Sequence, residues 1–317
     1  MRAVAVRNSG DKPELMELPA PRPAPGEVLV ELAAASVNPI DVGIAAGFFE
    51  DQMSHVYPLV LGVDGAGRVT EVGEGVRGLK PGDLVHGQFF RAPLGNGTFA
   101  EYAVVTEFPD GGALQRVPDG MPAEIAAALP TAGMTALGAL EAMGLRDGQS
   151  ILVVGATGGV GVFAVQLAAA KGAEVIATAR PDADQWIRQL GAARTADYTA
   201  VDVAEQVRRT HPGGVDAVLD LTRDPARFSE YAGLVRDGGA AVSASLTASP
   251  ELLASERIAV SNFMMEDKQD LLARITAEAA SGRIQVPIQQ TITFDQIPEA
   301  LVGNTAGGAR GKTTVRI

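Results

Sequence analysis

The sequence predicts an α/β chain in which a doubly wound parallel sheet follows a β-rich first third. Three observations carry this. Short strands broken by Gly and Pro fill residues 1–120, strands alternate with helices after Pro122, and a glycine-rich turn joins the first strand and helix of that alternation.

In the first third, Val28–Ala34 is a run of β-formers after the Pro-rich stretch Pro19–Pro25. Val69–Val72 and Leu84–Val85 flank the Lys80-Pro81-Gly82-Asp83 turn, and Phe99–Val105 alternates as a strand does. Few helical periods occur here. Ile151–Val154 then reads as a buried strand, and Val160–Lys171 as a helix with Val160, Phe163, Ala164 and Leu167 on one face. Glu174–Thr178, Arg194–Tyr198, Asp216–Leu221, Ala240–Ser245 and Ile258–Phe263 follow as strands, and Gln185–Leu190, Val203–Thr210 and Arg227–Val235 as helices. Strands linked by helices of ~10 residues call for parallel pairing through right-handed crossovers, and six of them suit a dinucleotide-binding sheet. The tail adds a helix at Lys268–Ala280, a strand near Thr291–Thr293 and a last strand at Lys312–Ile317, which is expected to rejoin the β-rich part.

Composition narrows the chemistry. The 317 residues include 26 Lys+Arg and 38 Asp+Glu, for a net charge of −12. That balance supplies no basic surface for a phosphate backbone, so nucleic acid is not an expected partner. Cysteine is absent, which removes disulfides, thiolate nucleophiles and cysteine-bound metals. None of His55, His86 and His211 has a second histidine four residues away, and His55 and His86 are read as surface or loop residues. Asn8, Asp11 and Glu14 interrupt any apolar leader, and no apolar run reaches the ~18 residues of a membrane span. A cytoplasmic location is therefore expected.

The sharpest motif lies between Ile151 and Arg180. Ala156-x-Gly158-x-x-Gly161 sits between an apolar strand and a helix, in the setting that a phosphate-cradling loop requires. Gly158 would let a pyrophosphate approach the backbone, Gly161 would let helix and strand pack closely, and the helix start from Gly159 and Val160 offers free N–H groups. At the end of the second strand an acid would select NAD through the ribose hydroxyls. Here stand Thr178, Ala179 and Arg180. Loss of the carboxylate and gain of a guanidinium favour NADPH, with Thr178 able to add a hydroxyl. The competing reading is a solvated Arg180 before Pro181, with Asp182 capping the next helix.

Wider motifs resemble the zinc-free branch of the medium-chain dehydrogenase/reductase superfamily, the quinone oxidoreductase-like (zeta-crystallin-like) enzymes. They are Ala35–Asp41 (ASVNPID), Leu61–Val69 (LGVDGAGRV), Val76–Val85 (VRGLKPGDLV), Gly97–Tyr102 (GTFAEY), Ala128–Ala136 (ALPTAGMTA), the glycine loop and Arg310-Gly311-Lys312. The resemblance implies a GroES-like β-rich catalytic domain at 1–121 and 264–317, with a Rossmann domain at 122–263 inserted in it. It also implies NADPH in an interdomain cleft and a homodimer.

By the same resemblance Asn38, Val63 and Thr131 stand where zinc-dependent relatives carry ligands, beside Asp64. Asn38 and Thr131 are the candidate catalytic residues, Asn38 having a turn-capping role as its alternative. Thr135 matches a threonine near the nicotinamide and Tyr198 one that touches the 2′-phosphate region. Leu221, Ala244, Ser245 and Leu246 lie at strand ends facing the cofactor, and Thr157 and Lys312 complete the cofactor set. Asp41 is expected to hold backbone amides. The segment after it lacks the family's tyrosine, leaving Phe48 and Phe49 as an apolar wall for a planar substrate.

Hydride transfer to a simple ketone leaves charge on one oxygen, where zinc normally helps. A quinone or α,β-unsaturated carbonyl spreads that charge onto a distant oxygen. A small-molecule conjugated carbonyl or quinone is therefore the expected substrate, with a proton from solvent. An enoyl-thioester reductase and an NADPH-binding protein without turnover remain as alternatives.

Overall fold

The computed structural model describes residues 1–109, 111–303 and 308–317. It divides into two units, one of Gly133–Glu266 with Gly308–Gly311, the other of Met1–Ala132, Asp267–Gly307 and Lys312–Ile317. The residues 304–307 of the expected outer domain lie outside the described set. The division falls at Ala132/Gly133, within the helix Pro130–Ala142, and not after residue 121. The reason is the helix Ala123–Ala128. Its small side chains Ala126 and Ala127 pack against Ala34 and Ala66 of the β-rich unit, which keeps the segment there.

The inserted unit is a parallel sheet of six strands among the described residues. Ser150–Val154, Glu174–Thr178, Arg194–Ala196, Val215–Asp220, Val235–Ser243 and Ala259–Asn262 follow one another in sequence. In space the order is third, second, first, fourth, fifth, sixth. This is the doubly wound arrangement, with its reversal between Ser150–Val154 and Val215–Asp220. Ser150–Val154 is buried at all five positions because helices cover both faces, so its apolar run does not alternate. The helix Gly161–Ala170 is buried from Gly161 to Ala168, which is why it is apolar nearly all round. The solvent-facing helix Val203–Thr210 instead shows a polar face, with Asp202 capping its start by accepting the Glu205 N–H and Arg208 and Arg209 in its last turn.

In the outer unit, one sheet orders Ile288–Thr293, Lys312–Arg316, Glu27–Val37, Asp64–Val72, Leu84–Gln88 and Ala113–Arg116, with Tyr102–Thr106 also paired to Glu27–Val37. A second holds Glu14–Glu17, Arg2–Val6, His55–Val60 and Leu94–Asn96. The last strand, Lys312–Arg316, lies antiparallel on Glu27–Val37 with Thr313 opposite Val37. The C-terminal strand thus joins a sheet of N-terminal strands, and Lys312 comes beside Asn38.

His86 departs from its expected surface position. It is fully buried on the strand Leu84–Gln88. Its Nδ1–H donates to the Ala126 carbonyl at 2.9 Å, and Nε2 accepts from Gln115 Nε2 at 3.1 Å and Thr276 Oγ1 at 3.3 Å. Burial lowers its pKa to about 4 from 6.5. The unfolded chain therefore takes up a proton first as pH falls, and stability is lost between about pH 6.5 and 4. We expect His86→Gln to remove about 3 kcal/mol of that pH dependence. Urea unfolding of both proteins at neutral and acid pH reads the difference, and equal slopes would contradict it.

Candidate active site

In the parallel-sheet unit, the glycine loop lies where the strand order reverses. Gly155 follows Val154 with φ +79°, a left-handed conformation that glycine adopts without strain. The loop is pinned from beneath and behind. The Gly155 N–H donates to Thr178 Oγ1 at 2.9 Å, and the Gly311 N–H donates to the Thr157 carbonyl at 2.8 Å. A Cβ at Gly161 would lie 2.5 Å from the Ala156 carbonyl oxygen, so helix and loop approach there only because the residue is glycine. A Cβ at Gly158 would meet only the Gly155 carbonyl, at 3.3 Å. Ala156 is buried, whereas Thr157, Gly158, Gly159 and Val160 are part-exposed and lead into the helix Gly161–Ala170. Backbone N–H groups at such a helix start suit a phosphate.

At the end of the second strand Ala179 is buried and Arg180 is exposed. Arg180 Nε donates to Tyr198 Oη at 3.0 Å, and its guanidinium lies over the Tyr198 ring. Asp182 does not cap the following helix; it pairs with Arg310, and Ala183 holds the cap of Asp184–Gln189. Thr135, Leu221, Ala244 and Ser245 are part-exposed and Leu246 is exposed, with φ +58°.

The β-rich unit holds, by itself, a buried polar cluster. Asp64, fully buried, accepts from Thr131 Oγ1 at 2.7 Å, from the Thr131 N–H at 3.1 Å and from Asn38 Nδ2 at 2.9 Å. Thr131 Oγ1 in turn accepts from Gln88 Nε2 at 2.7 Å. Lys312 Nζ donates to Asn38 Oδ1 at 2.6 Å and to the Val37 carbonyl at 3.1 Å. Asp41 accepts the N–H groups of Asn38 at 2.8 Å and Val63 at 3.0 Å, the amide-holding role expected of it. Burial raises its pKa to about 8, against the opposing Asn38 hydrogen bond. Burial likewise pushes Asp64 up and Lys312 down, and each opposes the other's shift. Beside Val63 a small cleft is lined by Ile44, Phe89, Arg91, Pro93 and Asn96 among others.

Residues 24–111 match the family model described as alcohol dehydrogenase GroES-like domain, and residues 159–275 the one described as zinc-binding dehydrogenase. A relative named NAD(P)H oxidoreductase RTN4IP1, mitochondrial, from Bos taurus is 31% identical, over 92% of this chain and 82% of its own length. The 2-methylene-furan-3-one reductase of Solanum lycopersicum is 30% identical, over 91% of this chain and 71% of its own. The solved quinone oxidoreductase of Pseudomonas syringae pv. Tomato DC3000 superposes with a TM-score of 0.87 at 27% identity, covering 100% of this chain and 99% of that one. The chain belongs to the medium-chain dehydrogenase/reductase superfamily, among its quinone oxidoreductase-like proteins. Its GroES-like and Rossmann-type folds are those the motifs implied.

The zinc named in one of the two family descriptions does not suit the residues present in this member of the superfamily. Val63 has no donor atom in its side chain, and the Asn38 oxygen already receives an ammonium, which would repel a metal ion. Five expected site residues have surroundings that the sequence did not indicate. Lys312 is buried, with its ammonium on the Asn38 and Val37 oxygens. The Thr178 hydroxyl is spent on the Gly155 N–H and so supports the loop from inside. Asn38 has both ends of its amide engaged by protein. Phe49 packs edge-on against Phe90 at 5.3 Å between centroids and joins an apolar core, while Phe48 is exposed. Gln88 was missed by sequence reasoning, since a lone Gln on a strand carries no pattern, and Arg310 was read only as part of the Arg310-Gly311-Lys312 motif, without its Asp182 partner.

The two loop glycines separate experimentally. Gly161→Ala should cost about 1–3 kcal/mol through overpacking, whereas Gly158→Ala should stay within about 1 kcal/mol of the wild type. Urea unfolding ranks the pair, and the opposite order would contradict the packing account.

Proposed function

We propose that the protein is an NADPH-dependent, zinc-independent oxidoreductase that reduces quinones or α,β-unsaturated carbonyls. The observation that carries the reading is the pinned glycine loop at the strand-order reversal, with Arg180 braced on Tyr198 where an acid would select NAD. Thr157–Gly161 would hold the pyrophosphate, and Arg180, steadied by Tyr198, the 2′-phosphate. Thr135, Leu221, Ala244, Ser245 and Leu246 complete the proposed cofactor surface. NADPH supplies the hydride when bound.

The chemistry on the acceptor side follows from the polar cluster. Thr131 gives its hydroxyl proton to Asp64, and the Asn38 amide is engaged at both ends, so neither stands ready to protonate an alkoxide. A conjugated acceptor makes a smaller demand, because its negative charge moves to an oxygen remote from the reacting carbon and water supplies the proton. The names of the tomato and Pseudomonas proteins agree with that substrate class. A homodimer in the cytoplasm belongs to the same reading; light scattering should then give about twice the chain mass of 32.7 kDa.

Turnover is tested by NADPH oxidation with 1,4-quinones and enals in the presence of a chelator. Activity toward at least one class is expected, and inactivity toward both, or activity that needs added zinc, would overturn the reading. Arg180→Ala should weaken NADPH binding about 10-fold or more and leave NADH nearly unchanged, as read by fluorescence titration. Equal losses for the two nucleotides would reject the cofactor assignment.

A further inference from the structure

Lys312 is a fully enclosed ammonium, 3% exposed, and its role does not follow from nucleotide binding. The pairing of Lys312–Arg316 on Glu27–Val37 delivers it to the strand end where Asn38 begins the helix Pro39–Ala45. Its described contacts are the Asn38 and Val37 oxygens, and the Asn38 amide spans the gap to Asp64. The dipole of that amide is aligned between a cation on its oxygen side and a carboxylate on its nitrogen side.

Of the contacts around Asp64, one depends on its charge state. The Thr131 N–H and Asn38 Nδ2–H can only donate, so both need an accepting oxygen. The contact with Thr131 Oγ1 is the reversible one. While Asp64 is a carboxylate, the Thr131 hydroxyl must point its hydrogen at Asp64 and turn lone pairs toward Gln88 and its other neighbours. A protonated Asp64 would place its own hydrogen in that contact and release the hydroxyl of Thr131 to donate elsewhere.

We propose that Lys312 is a positioning residue: its ammonium keeps Asp64 a carboxylate and thereby fixes the part-exposed Thr131 hydroxyl as a hydrogen-bond acceptor. The consequence for turnover rests on the reductase reading above. An acceptor hydroxyl cannot lend its proton to the substrate, so the final proton comes from water. The other ionisable groups facing this cluster are Asp41 on Pro39–Ala45 and Lys268 on Lys268–Ala280. His86, two residues before Gln88, is engaged by Ala126, Gln115 and Thr276.

The test uses the full chain with Lys312→Met, Lys312→Arg, Asp64→Asn and the double variant Lys312→Met/Asp64→Asn. Asparagine at residue 64 imitates a protonated acid, with a donor aimed at Thr131. Urea unfolding is followed from about pH 5.5 to 8, where an unpaired buried carboxylate becomes progressively costlier. The loss in folding constant caused by Lys312→Met should grow at least ~10-fold across that range. It should be pH-independent when the same change is made on Asp64→Asn, and small for Lys312→Arg. In turnover, kcat/KM of Lys312→Met should acquire an ionisation in that range that the double variant lacks. A loss that is uniform with pH, or a double variant no less pH-dependent than Lys312→Met, overturns the proposal and leaves Lys312 a packing residue. Unfolding needs no turnover, so an inactive wild type would count against the reductase reading alone.

Discussion

Burial of the Asp64 carboxyl group is the constraint on which the polar cluster of the β-rich unit depends. A carboxylate taken wholly out of water costs several kcal/mol unless donors and a counter-charge meet it. Here Asn38 and Thr131 donate to it, Lys312 supplies the counter-charge from the far side of the Asn38 amide, and Ser36 Oγ stands at 3.4 Å. The last strand of the chain must therefore pair with Glu27–Val37 for the first one hundred residues to be electrostatically complete. Deleting one partner leaves the others with unmet polar atoms, which makes the cluster cooperative.

The parallel-sheet unit is governed by close approach. Gly161 admits two backbone oxygens where a side chain would collide, while Thr178 and Gly311 clamp the loop from two directions. A loop pinned beforehand gives up little entropy when an anion binds, which is the physical advantage of these clamps. Arg180 extends the same logic outward, because bracing on Tyr198 limits its rotamers.

Legibility in the sequence followed the strength of the local pattern. Glu174–Thr178, Val203–Thr210 and Lys268–Ala280 have the bounds that periodicity implied. The helix Pro39–Ala45 was not visible, being seven residues long, with a glycine inside and Asp41 reaching back to the Asn38 N–H. Ala123–Ala128 and Pro130–Ala142 were hidden for a different cause. Their Ala-rich surfaces are buried on several sides, so no single apolar stripe marks them. His86 misled because a histidine between Val85 and Gly87 resembles a turn residue until Ala126, Gln115 and Thr276 enclose it.

Local spacing by itself determined the doubly wound sheet, the glycine loop and the absence of an acid before Arg180, since each rests on residues within about 30 positions of one another. The lack of cysteine determined as early that no thiolate could bind a metal. Only the tertiary structure decided what Asn38, Thr131, Thr178 and Lys312 do. Each was read as facing a cofactor or substrate, yet each has a polar atom committed to another part of the protein. The direction of a hydrogen bond and the partner of a buried charge depend on segments that sequence distance separates and folding joins.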